Sequence, residues 1–302
     1  MDALDARLIA RRAAWAVALG GLVVGLGWGG LWMARPSREA QVRPLFHGVE
    51  YQRHALDEPR PLVIHVARLA IKRPEVALRV TPPTPAEGKD VKARTTSRFL
   101  EEQRVQLAIN GSFFSPFWAE TPWDYYPREG DPVDIHGLTI SAHQLASEPW
   151  GELSVLCWSP GRASIARGTC PTNTQEALAG GQLLLRQGAV TPVAAQDSHP
   201  QPRTAVALDA DRGTLWLVVV DGRQQGYSEG MTLGELARWL QSQGASEALN
   251  LDGGGSSAMV AQGPRGPDLL NSPIHTGIPL RERPVANHLG VYARALSPQA
   301  AP

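Results

Sequence analysis

The sequence has few cysteines, no surplus of positive charge and none of the short motifs that mark several common enzyme classes. Among its 302 residues, Lys+Arg and Asp+Glu each total 29, so the basic excess of a nucleic-acid-binding protein is missing. The loop G-x-x-x-x-G-K-[ST] and the zinc motif H-E-x-x-H are also absent, and neither Ser256 nor Ser257 lies in a G-x-S-x-G nucleophile turn. We therefore expect no nucleic-acid partner, no nucleotide hydrolysis, no zinc site and no serine nucleophile.

Cysteine occurs only at positions 157 and 170. Outside the cytoplasm these two residues could close a disulfide across a loop of modest length. Alternatively, both could be small buried apolar residues. The sequence leaves both interpretations open.

The longest uncharged apolar segment lies near the N-terminus, at residues 13–34, between Arg12 and Arg35. At about 1.5 Å per residue, a helix of this length just spans a bilayer core of roughly 30 Å. A cleavable signal peptide is the alternative, but its apolar core is usually shorter and ends in small residues, whereas Trp32 stands near this end. We predict one transmembrane helix that anchors an extracytoplasmic domain in the cell membrane.

The remaining sequence is typical of a mixed α+β domain with many short, mostly antiparallel strands and few helices. Hydrophobic residues make up 43%, enough for a sizeable core, and the 30 glycines and 25 prolines indicate many turns. The clearest helix is "MTLGELARWLQSQGA", with a capping box at Thr232 and Glu235 and a stop at Gly244. Its apolar face comprises Leu233, Leu236, Trp239 and Leu240. The predicted segments are a cytoplasmic tail (1–12), the span (13–34), a stalk (35–47), one domain (48–296) and a tail (297–302).

One stretch, "NLDGGGSSAMV", interrupts an apolar run with a single carboxylate at Asp252. It is followed by Gly253, Gly254, Gly255, Ser256 and Ser257. Glycines expose backbone N–H groups that can form an anion-binding nest, and the serines add hydroxyl donors. A carboxylate beside many donors suits a substrate with one cationic centre and one anionic group. The alternative is a glycine-rich hairpin in which Asp252 is a turn residue.

Several motifs occur together in the order found in the phosphodiester glycosidase family. They are "AINGSFF", "GGQLLL", "PRTAVAL", "VVVDGR…GYSEGMTLGELARWL", "ALNLDGGGSSAMV" and "RPVANHLGVY". The sequence resembles that family over residues 48–294, and departs from it at Ser112, where a second glycine is common. The resemblance implies a hydrolase that cleaves the glycosidic bond of sugar-1-phosphodiesters on extracytoplasmic glycans or their fragments.

The resemblance also implies roles for individual residues. The oxocarbenium-like centre needs a carboxylate, for which Asp252 is the first choice, Glu229 the second and Asp221 the third. Arg203 and Arg283 are expected to bind the phosphate. Asn110 and Asn287 are expected to hold sugar hydroxyls, and the other expected substrate contacts are Gly111, Thr204, Ser228, Gly253, Gly254, Gly255, Ser256 and Ser257. Such an enzyme requires that Asp252, Glu229 and Arg203 converge on one cleft.

The sequence also contains seven aromatic residues between Phe113 and Tyr126, in what reads as a long loop. Trp118, Trp123 or Tyr126 could stack on a sugar, or the loop could pack a small core of its own. No cofactor is required. Ca²⁺ binding is possible through the oxygen-rich stretch "DGGGSS" with Asp209, Asp211 and Asp221, although no known calcium-binding motif matches.

Two non-enzymatic functions remain as alternatives. The first is a glycan- or phosphosugar-binding envelope protein that keeps the pocket without turnover. Asp252 and Glu229 argue against it, because a binding module needs donors but not paired carboxylates. The second is a structural envelope protein that assembles through its anchor, and it rests only on Gly21, Gly25 and Gly29 at four-residue spacing.

Overall fold

The computed structural model describes residues 29–296. These comprise a short segment up to Pro36, with helical residues at 29–33, and a folded unit that begins at Ser37. Both predicted tails, 1–12 and 297–302, and most of the predicted span at 13–34 lie outside the described residues. Within 29–296, no helix has the length and apolar character needed to cross a bilayer.

The central layer of the unit is an eight-stranded sheet with antiparallel neighbours throughout. In spatial order it contains β1 (Gln41–Phe46), β2 (Val49–Leu56), β3 (Leu62–Ala70), β19 (Thr214–Val220), β18 (Arg203–Asp209), β20 (Ala245–Asn250), β16 (Leu183–Arg186) and β17 (Ala189–Val190). The central strands β19 and β18 are apolar on both faces, because both faces of the sheet are covered.

The predicted stalk at 35–47 needs a correction, because residues 41–46 form β1 and pair with β2. The sheet therefore begins before the predicted domain boundary at residue 48. Pro44 is compatible with a strand here because β1 lies at the sheet edge, where no second neighbour needs its missing N–H.

Two five-stranded antiparallel sheets share a core with one face of the central sheet. The first contains β22 (Gly266–Leu269), β21 (Met259–Gly263), β6 (Leu107–Asn110), β23 (His288–Tyr292) and β4 (Ala77–Val80). The second contains β12 (Gln144–Ser147), β11 (Thr139–Ser141), β15 (Glu176–Ala179), β13 (Ser154–Ser159) and β14 (Arg162–Arg167). Tyr51, Leu69 and Leu217 of the central sheet belong to the same core cluster as Ile109 and Trp158 of the smaller sheets.

Helices cover the outer faces of this sandwich. The helix α3 (Leu233–Ser242) has the predicted capping box, in which Thr232 Oγ1 accepts from Glu235 N at 3.1 Å and Glu235 Oε2 accepts from Thr232 N at 2.8 Å. Its buried face packs on the central sheet, beside the short α2 (Pro192–Ala195), and Trp239 is only partly buried there. On the opposite side, α1 (Thr96–Gln103) places Phe99 and Leu100 against Ala108 and Val260.

The aromatic segment contains short strands instead of one continuous loop. They are β7 (Phe114–Ser115), which pairs with β10 (Pro132–Ile135), and the ribbon of β8 (Trp118–Ala119) and β9 (Tyr125–Tyr126). β10 pairs in turn with β5 (Val91–Lys92). The two cysteines form a disulfide, with 5.7 Å between their Cα atoms, which decides between the two interpretations that the sequence left open.

Candidate active site

Asp252 lies where the central sheet meets the sheet of β6, β21 and β23. It follows β20, and its backbone N donates to Gly111 O at 3.0 Å, just beyond the end of β6. Asn110 Nδ2 donates to Asp252 O at 2.6 Å. Two of the predicted motifs, "AINGSFF" and "NLDGGGSS", are therefore in direct contact although 142 positions separate Asn110 from Asp252.

The amides predicted to hold sugar hydroxyls are instead buried and bonded within the protein. Asn110 Oδ1 accepts from Thr204 Oγ1 at 2.8 Å and from Ala258 N at 3.2 Å. Thr204 Oγ1 also lies 3.2 Å from Ser257 Oγ. Asn110, Thr204 and Ser257 are at most 1% exposed. These three side chains position the Asp252 turn through bonds within the protein.

Asn287 and Gly111 are also bonded and packed within the protein. Asn287 is fully buried, and its Nδ2 donates to Ser112 Oγ at 2.9 Å and to Thr139 Oγ1 at 3.2 Å. Gly111 N donates to Asn287 O at 2.8 Å, and a Cβ on Gly111 would lie 2.8 Å from Leu178. Glycine is therefore required at 111 by close packing.

The three glycines after Asp252 each allow a close approach, but to protein groups. A Cβ on Gly253 would lie 2.9 Å from Pro202 O, and one on Gly254 would lie 3.1 Å from Arg223 Nη2. A Cβ on Gly255 would lie 2.5 Å from Arg283 Nη2. Gly254 also has φ +60°, a conformation that favours glycine. The glycines thus bring two guanidinium groups next to the turn, where an anion could bind.

Asp252 and Arg283 perturb each other electrostatically. Burial raises the pKa of Asp252 to about 6, although a Ser256 hydrogen bond and the positive charge of Arg283 oppose the rise. Burial lowers the pKa of Arg283 to about 10, and the charge of Asp252 opposes that fall. Arg283 Nη1 donates to Ser256 Oγ at 3.0 Å. A carboxylate with a pKa this high, partly exposed and beside a guanidinium, is typical of a functional site.

His275 is a neighbour of Arg283 that the sequence interpretation missed. Its Nδ1 accepts from Arg283 Nε at 3.2 Å, because a guanidinium can only donate. Burial and the charges of Arg283 and Arg281 lower the pKa of His275 to about 3, so the imidazole is neutral at ordinary pH. The proton then resides on Nε2, which is buried without a hydrogen-bond partner. A single histidine in "NSPIHTG" carries no sequence signal of this arrangement.

Arg223 was missed as well, although it directly follows the Asp-Gly pair of a quoted motif. It is exposed, has φ 58°, and its Nη2 donates to Gln201 Oε1 at 2.8 Å. Its charge helps to lower the pKa of Arg283, so the two guanidinium groups are close enough to interact. The position after a turn glycine could have indicated Arg223, because such residues lie at sheet ends.

The guanidinium of Arg203 is bonded within the protein. Its Nη2 pairs with Asp197 Oδ2 at 2.6 Å and its Nε donates to Met231 O at 2.8 Å. Asp197 Oδ2 also accepts from Leu233 N at 2.7 Å, so Arg203 fastens the start of α3 to the sheet. Burial lowers the pKa of Arg203, and the charge of Arg223 adds to this fall, so Arg203 also lies within electrostatic range of Arg223. The phosphate contact at Arg203 stays a prediction.

Asp221 and Ser228 are likewise inside the fold. The Asp221 carboxylate, 1% exposed, accepts from Asn271 Nδ2 at 2.9 Å and from Ser272 N at 3.0 Å, and it lies 3.0 Å from His65 Nε2. Ser228 Oγ donates to Asp221 O at 2.7 Å and accepts from Val63 N at 2.9 Å. These bonds use the polar atoms that the sequence interpretation assigned to chemistry, so the geometry favours a structural role.

Glu229 is half-buried beside the start of β3, where its backbone N donates to Pro61 O at 2.9 Å. In the central sheet, β19 and β18 separate β3 from β20. Among the described residues, no hydrogen bond or ion pair joins Glu229 to Asp252. The convergence of Asp252, Glu229 and Arg203 stays a prediction.

The aromatic segment reaches the site through Phe117 and Tyr125. The guanidinium of Arg283 lies 4.1 Å from the ring centroid of Phe117, and Tyr125 meets His275 edge-on at 4.7 Å. The residues expected to stack on a sugar are placed differently. Trp118 stacks on Tyr126 at 6.3 Å, Tyr126 donates to Pro132 O at 2.6 Å, and Trp123 is 74% exposed. The segment thus packs largely on itself and on cationic side chains.

The predicted calcium ligands do not form one site. Asp209 and Asp211 lie at the β18–β19 turn, where Asp209 Oδ1 accepts from Gly213 N at 2.8 Å, whereas Asp221 follows the other end of β19. A seven-residue strand separates these ends by roughly 20 Å. Within residues 29–296, no group of three or more His, Cys, Asp or Glu side chains could hold a metal ion.

A comparison with family models places the chain in a family. The family model described as "Phosphodiester glycosidase" matches residues 103–292, which is more than half of the chain. The chain therefore belongs to the phosphodiester glycosidase family, as its motifs indicate. No curated protein sequence matches it.

Three solved structures share the fold at low sequence identity. A hypothetical protein from Synechocystis has a TM-score of 0.64 and 17% identity, over 85% of this chain and 64% of that protein. The zebrafish N-acetylglucosamine-1-phosphodiester alpha-N-acetylglucosaminidase catalytic domain, auto-inhibited by its pro-peptide, has a TM-score of 0.57 and 18% identity, over 87% and 92%. A putative exported protein from Burkholderia pseudomallei has a TM-score of 0.56 and 18% identity, over 76% and 74%. This chain thus spans less than two thirds of the Synechocystis protein.

Proposed function

We propose that the protein hydrolyses the glycosidic bond of sugar-1-phosphodiesters. The observation that supports this most directly is the position of the Arg283 guanidinium on the glycine turn that follows Asp252, where it packs against Gly255 and donates to Ser256 Oγ at 3.0 Å. Family membership supports the same reaction class. Asp252 offers a carboxylate to the anomeric carbon, which becomes cationic as the glycosidic bond breaks. Arg283 offers hydrogen-bond donors to the anionic phosphate that leaves.

In the proposed reaction, Arg283 and Arg223 bind the phosphate. Breaking the bond between the sugar and oxygen releases a phosphate monoester, whose second pKa is about 6. Such a leaving group needs little protonation, but it needs positive charge as the bond breaks, which two guanidinium groups supply. Ser256 orients Arg283 through its 3.0 Å hydrogen bond.

Asp252 serves the anomeric carbon in this proposal, either as the nucleophile or as the base that deprotonates water. Both roles require the ionised carboxylate. Glu229 and Asp221 are given no catalytic role, since Asp221 is buried among donors and Glu229 lies against β3. The neutral imidazole of His275 positions Arg283 by accepting its Nε–H.

We further propose an extracytoplasmic location, which the Cys157–Cys170 disulfide supports because such bonds persist in oxidising compartments. The substrate would then be a phosphodiester-linked glycan or its fragment. The membrane anchor at 13–34 stays a prediction.

The test of the reaction uses the full chain as wild type and Asp252→Asn in ¹⁸O-labelled water with hexose-1-phospho-alkyl esters. We expect wild type to place the label in the released sugar. We expect turnover by Asp252→Asn to be lower by about 10²–10⁴-fold. Asp211→Asn, an exposed carboxylate in the β18–β19 turn, serves as the matched control and should retain full activity. Label in the phosphate would mean phosphorus–oxygen cleavage and overturn the mechanism. Binding without turnover would favour the glycan-binding alternative.

A further inference from the structure

Beside Asp252 lies an open groove of about 510 Å³ that has no role in the reaction described above. Its walls are formed by Phe113, His136, Trp150 and Leu153, and its floor by Gly180 and Gly181. The groove is mainly apolar and aromatic, and its polar lining residues are His136 and Glu152. A concave site with aromatic walls and few polar groups is typical of a small-molecule subsite.

Glycine at 180 and 181 lets the backbone below the groove pack tightly. A Cβ on Gly180 would lie 2.5 Å from Asn250 O, and a Cβ on Gly181 would lie 2.9 Å from the Phe113 ring. The backbone at this point runs directly beside β20, with Gly181 N donating to Asn250 O at 2.8 Å. The motif "GGQLLL" therefore holds the groove against the end of β20 and against Phe113.

Two routes along the backbone connect this groove to Asp252. Asn250, which pairs with the floor, is two residues before Asp252, and Phe113 is two residues after Gly111, whose carbonyl accepts from Asp252 N. Two extended residues span about 7 Å. A sugar ring whose anomeric carbon faces Asp252 could thus extend into the groove.

The groove and the Arg223 guanidinium lie on opposite sides of β20. Gly181 leads into β16, one neighbour of β20 in the central sheet. Pro202 and Arg223 lie beside the ends of β18 and β19, on the other side, where Gly253 and Gly254 pack against them. If the phosphate binds there, the group across the scissile bond from it falls on the groove side. That group is the sugar ring.

Trp150 has the properties of a stacking platform. It is 58% exposed, so one face is free, and its ring is held edge-on by His136 at 4.3 Å between centroids. His136 in turn lies 2.9 Å from Ser115 Oγ, which fixes its orientation. A pyranose presents C–H groups on one face and hydroxyls around its edge, so it matches a flat apolar ring bordered by a polar residue.

We infer that the groove between Trp150, Phe113 and Gly180–Gly181 is the subsite for the hexopyranose whose anomeric carbon faces Asp252. This inference rests on the proposed function, because it assigns the two sides of Asp252 to sugar and phosphate. It names Trp150 as a residue that determines which sugar is accepted.

The test compares Trp150→Ala with Trp123→Ala, a second exposed tryptophan that the sequence interpretation favoured. Both side chains are largely exposed, so both variants of the full chain should fold. For Trp150→Ala we expect KM for hexose-1-phospho-alkyl esters to rise about three- to tenfold with kcat unchanged, because stacking is lost equally before and in the transition state. Trp123→Ala should match wild type. An unchanged KM for Trp150→Ala, or the increase appearing in Trp123→Ala instead, would overturn the subsite.

A second measurement separates failure of the subsite from failure of the proposed function. The chain is labelled with 5-fluorotryptophan, the Trp150 resonance is identified by its loss in Trp150→Phe, and methyl hexopyranosides and inorganic phosphate are titrated separately. We expect the sugar, but not phosphate, to shift that resonance. Sugar binding that does not shift the Trp150 resonance contradicts the subsite, even if hydrolysis is found. A shifted Trp150 without hydrolysis of any ester supports the subsite and refutes the enzyme. If no sugar binds, the subsite is refuted, and the ¹⁸O measurement decides the proposed function separately.

Discussion

At the residue scale, the chemistry depends on one carboxylate whose charge the fold disfavours. Asp252 is the first residue that the sequence singled out, and the structure surrounds it with the turn that the glycines predicted. Its partner was predicted only in part: Arg283 was named, but Arg223 and His275 were not. A single arginine or histidine gives no periodic signal, and its role depends on which loops meet, which local sequence does not state.

The first residue-scale prediction concerns pH. Because burial raises the pKa of Asp252 to about 6, kcat/KM should fall as the pH drops below about 6. Replacing Arg283 with Gln removes a charge that lowers this pKa, so the acidic limb should move to higher pH. Loss of the charged phosphate contact should also lower kcat/KM about 10- to 100-fold. Arg212→Gln, whose side chain pairs with Glu247 at 3.0 Å at the far turn, is the control for the pH profile. A limb that stays in place would show that Arg283 does not act on Asp252.

The second residue-scale prediction concerns stability. A carboxyl whose pKa is raised by folding costs stability when ionised, and this cost is present above pH 6 and absent below the unfolded value of 3.8. At pH 8 the free energy of unfolding of Asp252→Asn should therefore exceed that of wild type by roughly 1–3 kcal/mol, so the variant should melt at a higher temperature. Near pH 3.5 the two proteins should melt at the same temperature. Thermal unfolding at both pH values tests this, with Asp211→Asn as the control. A variant less stable than wild type at pH 8 would show that hydrogen bonds to the ionised carboxylate outweigh its burial.

At the element scale, the elements with strong local signals were predictable and the short ones were not. The capping box and apolar face of α3 follow from helical spacing, and the structure has both. The residues of β1 were assigned to a stalk because 35–47 are polar and contain two prolines. The strand is mostly exposed, so the apolar alternation that marks a half-buried strand is absent. The strands β7, β8 and β9 have two residues each, too few to show any period.

The element-scale prediction concerns the start of α3. Thr232→Ala removes the side chain that accepts from Glu235 N, which should lower the free energy of unfolding by about 0.5–2 kcal/mol. Because α3 covers the outer face of the central sheet, kcat at saturating substrate should be unchanged. Denaturant unfolding monitored by circular dichroism measures the loss. Ser242→Ala at the other end of the helix, where the hydroxyl is exposed, should cost less. Equal effects of the two substitutions would argue against a specific capping contribution.

At the scale of the whole molecule, the predicted class of fold was correct because composition and turn frequency constrain it. The order of strands was predictable only for the β18–β19 hairpin, whose connection is four residues, because β20 pairs with β16 and β18 only through long connections. That order decides which side chains meet: it places the groove and the Arg223 guanidinium on opposite sides of β20.

The whole-molecule prediction follows from the position of the disulfide. Cys157 lies in the middle of β13 and is bonded to Cys170 across a separation of 13 residues. Opening a loop of about this size should cost roughly 2–4 kcal/mol, mostly by freeing the unfolded chain. The Cys157→Ala/Cys170→Ala variant should therefore melt at lower temperature, yet retain kcat/KM for the phosphodiester, because neither cysteine contacts the Asp252 turn or Trp150. Comparing the variant with wild type, with and without reductant, separates the effect of losing the disulfide from the effect of replacing the cysteine side chains. Reductant should lower the melting temperature of wild type to that of the variant and leave the variant unaffected. A large loss of activity together with retained stability would place the disulfide loop in the catalytic machinery and contradict the assignment of that machinery to the far ends of β6 and β20.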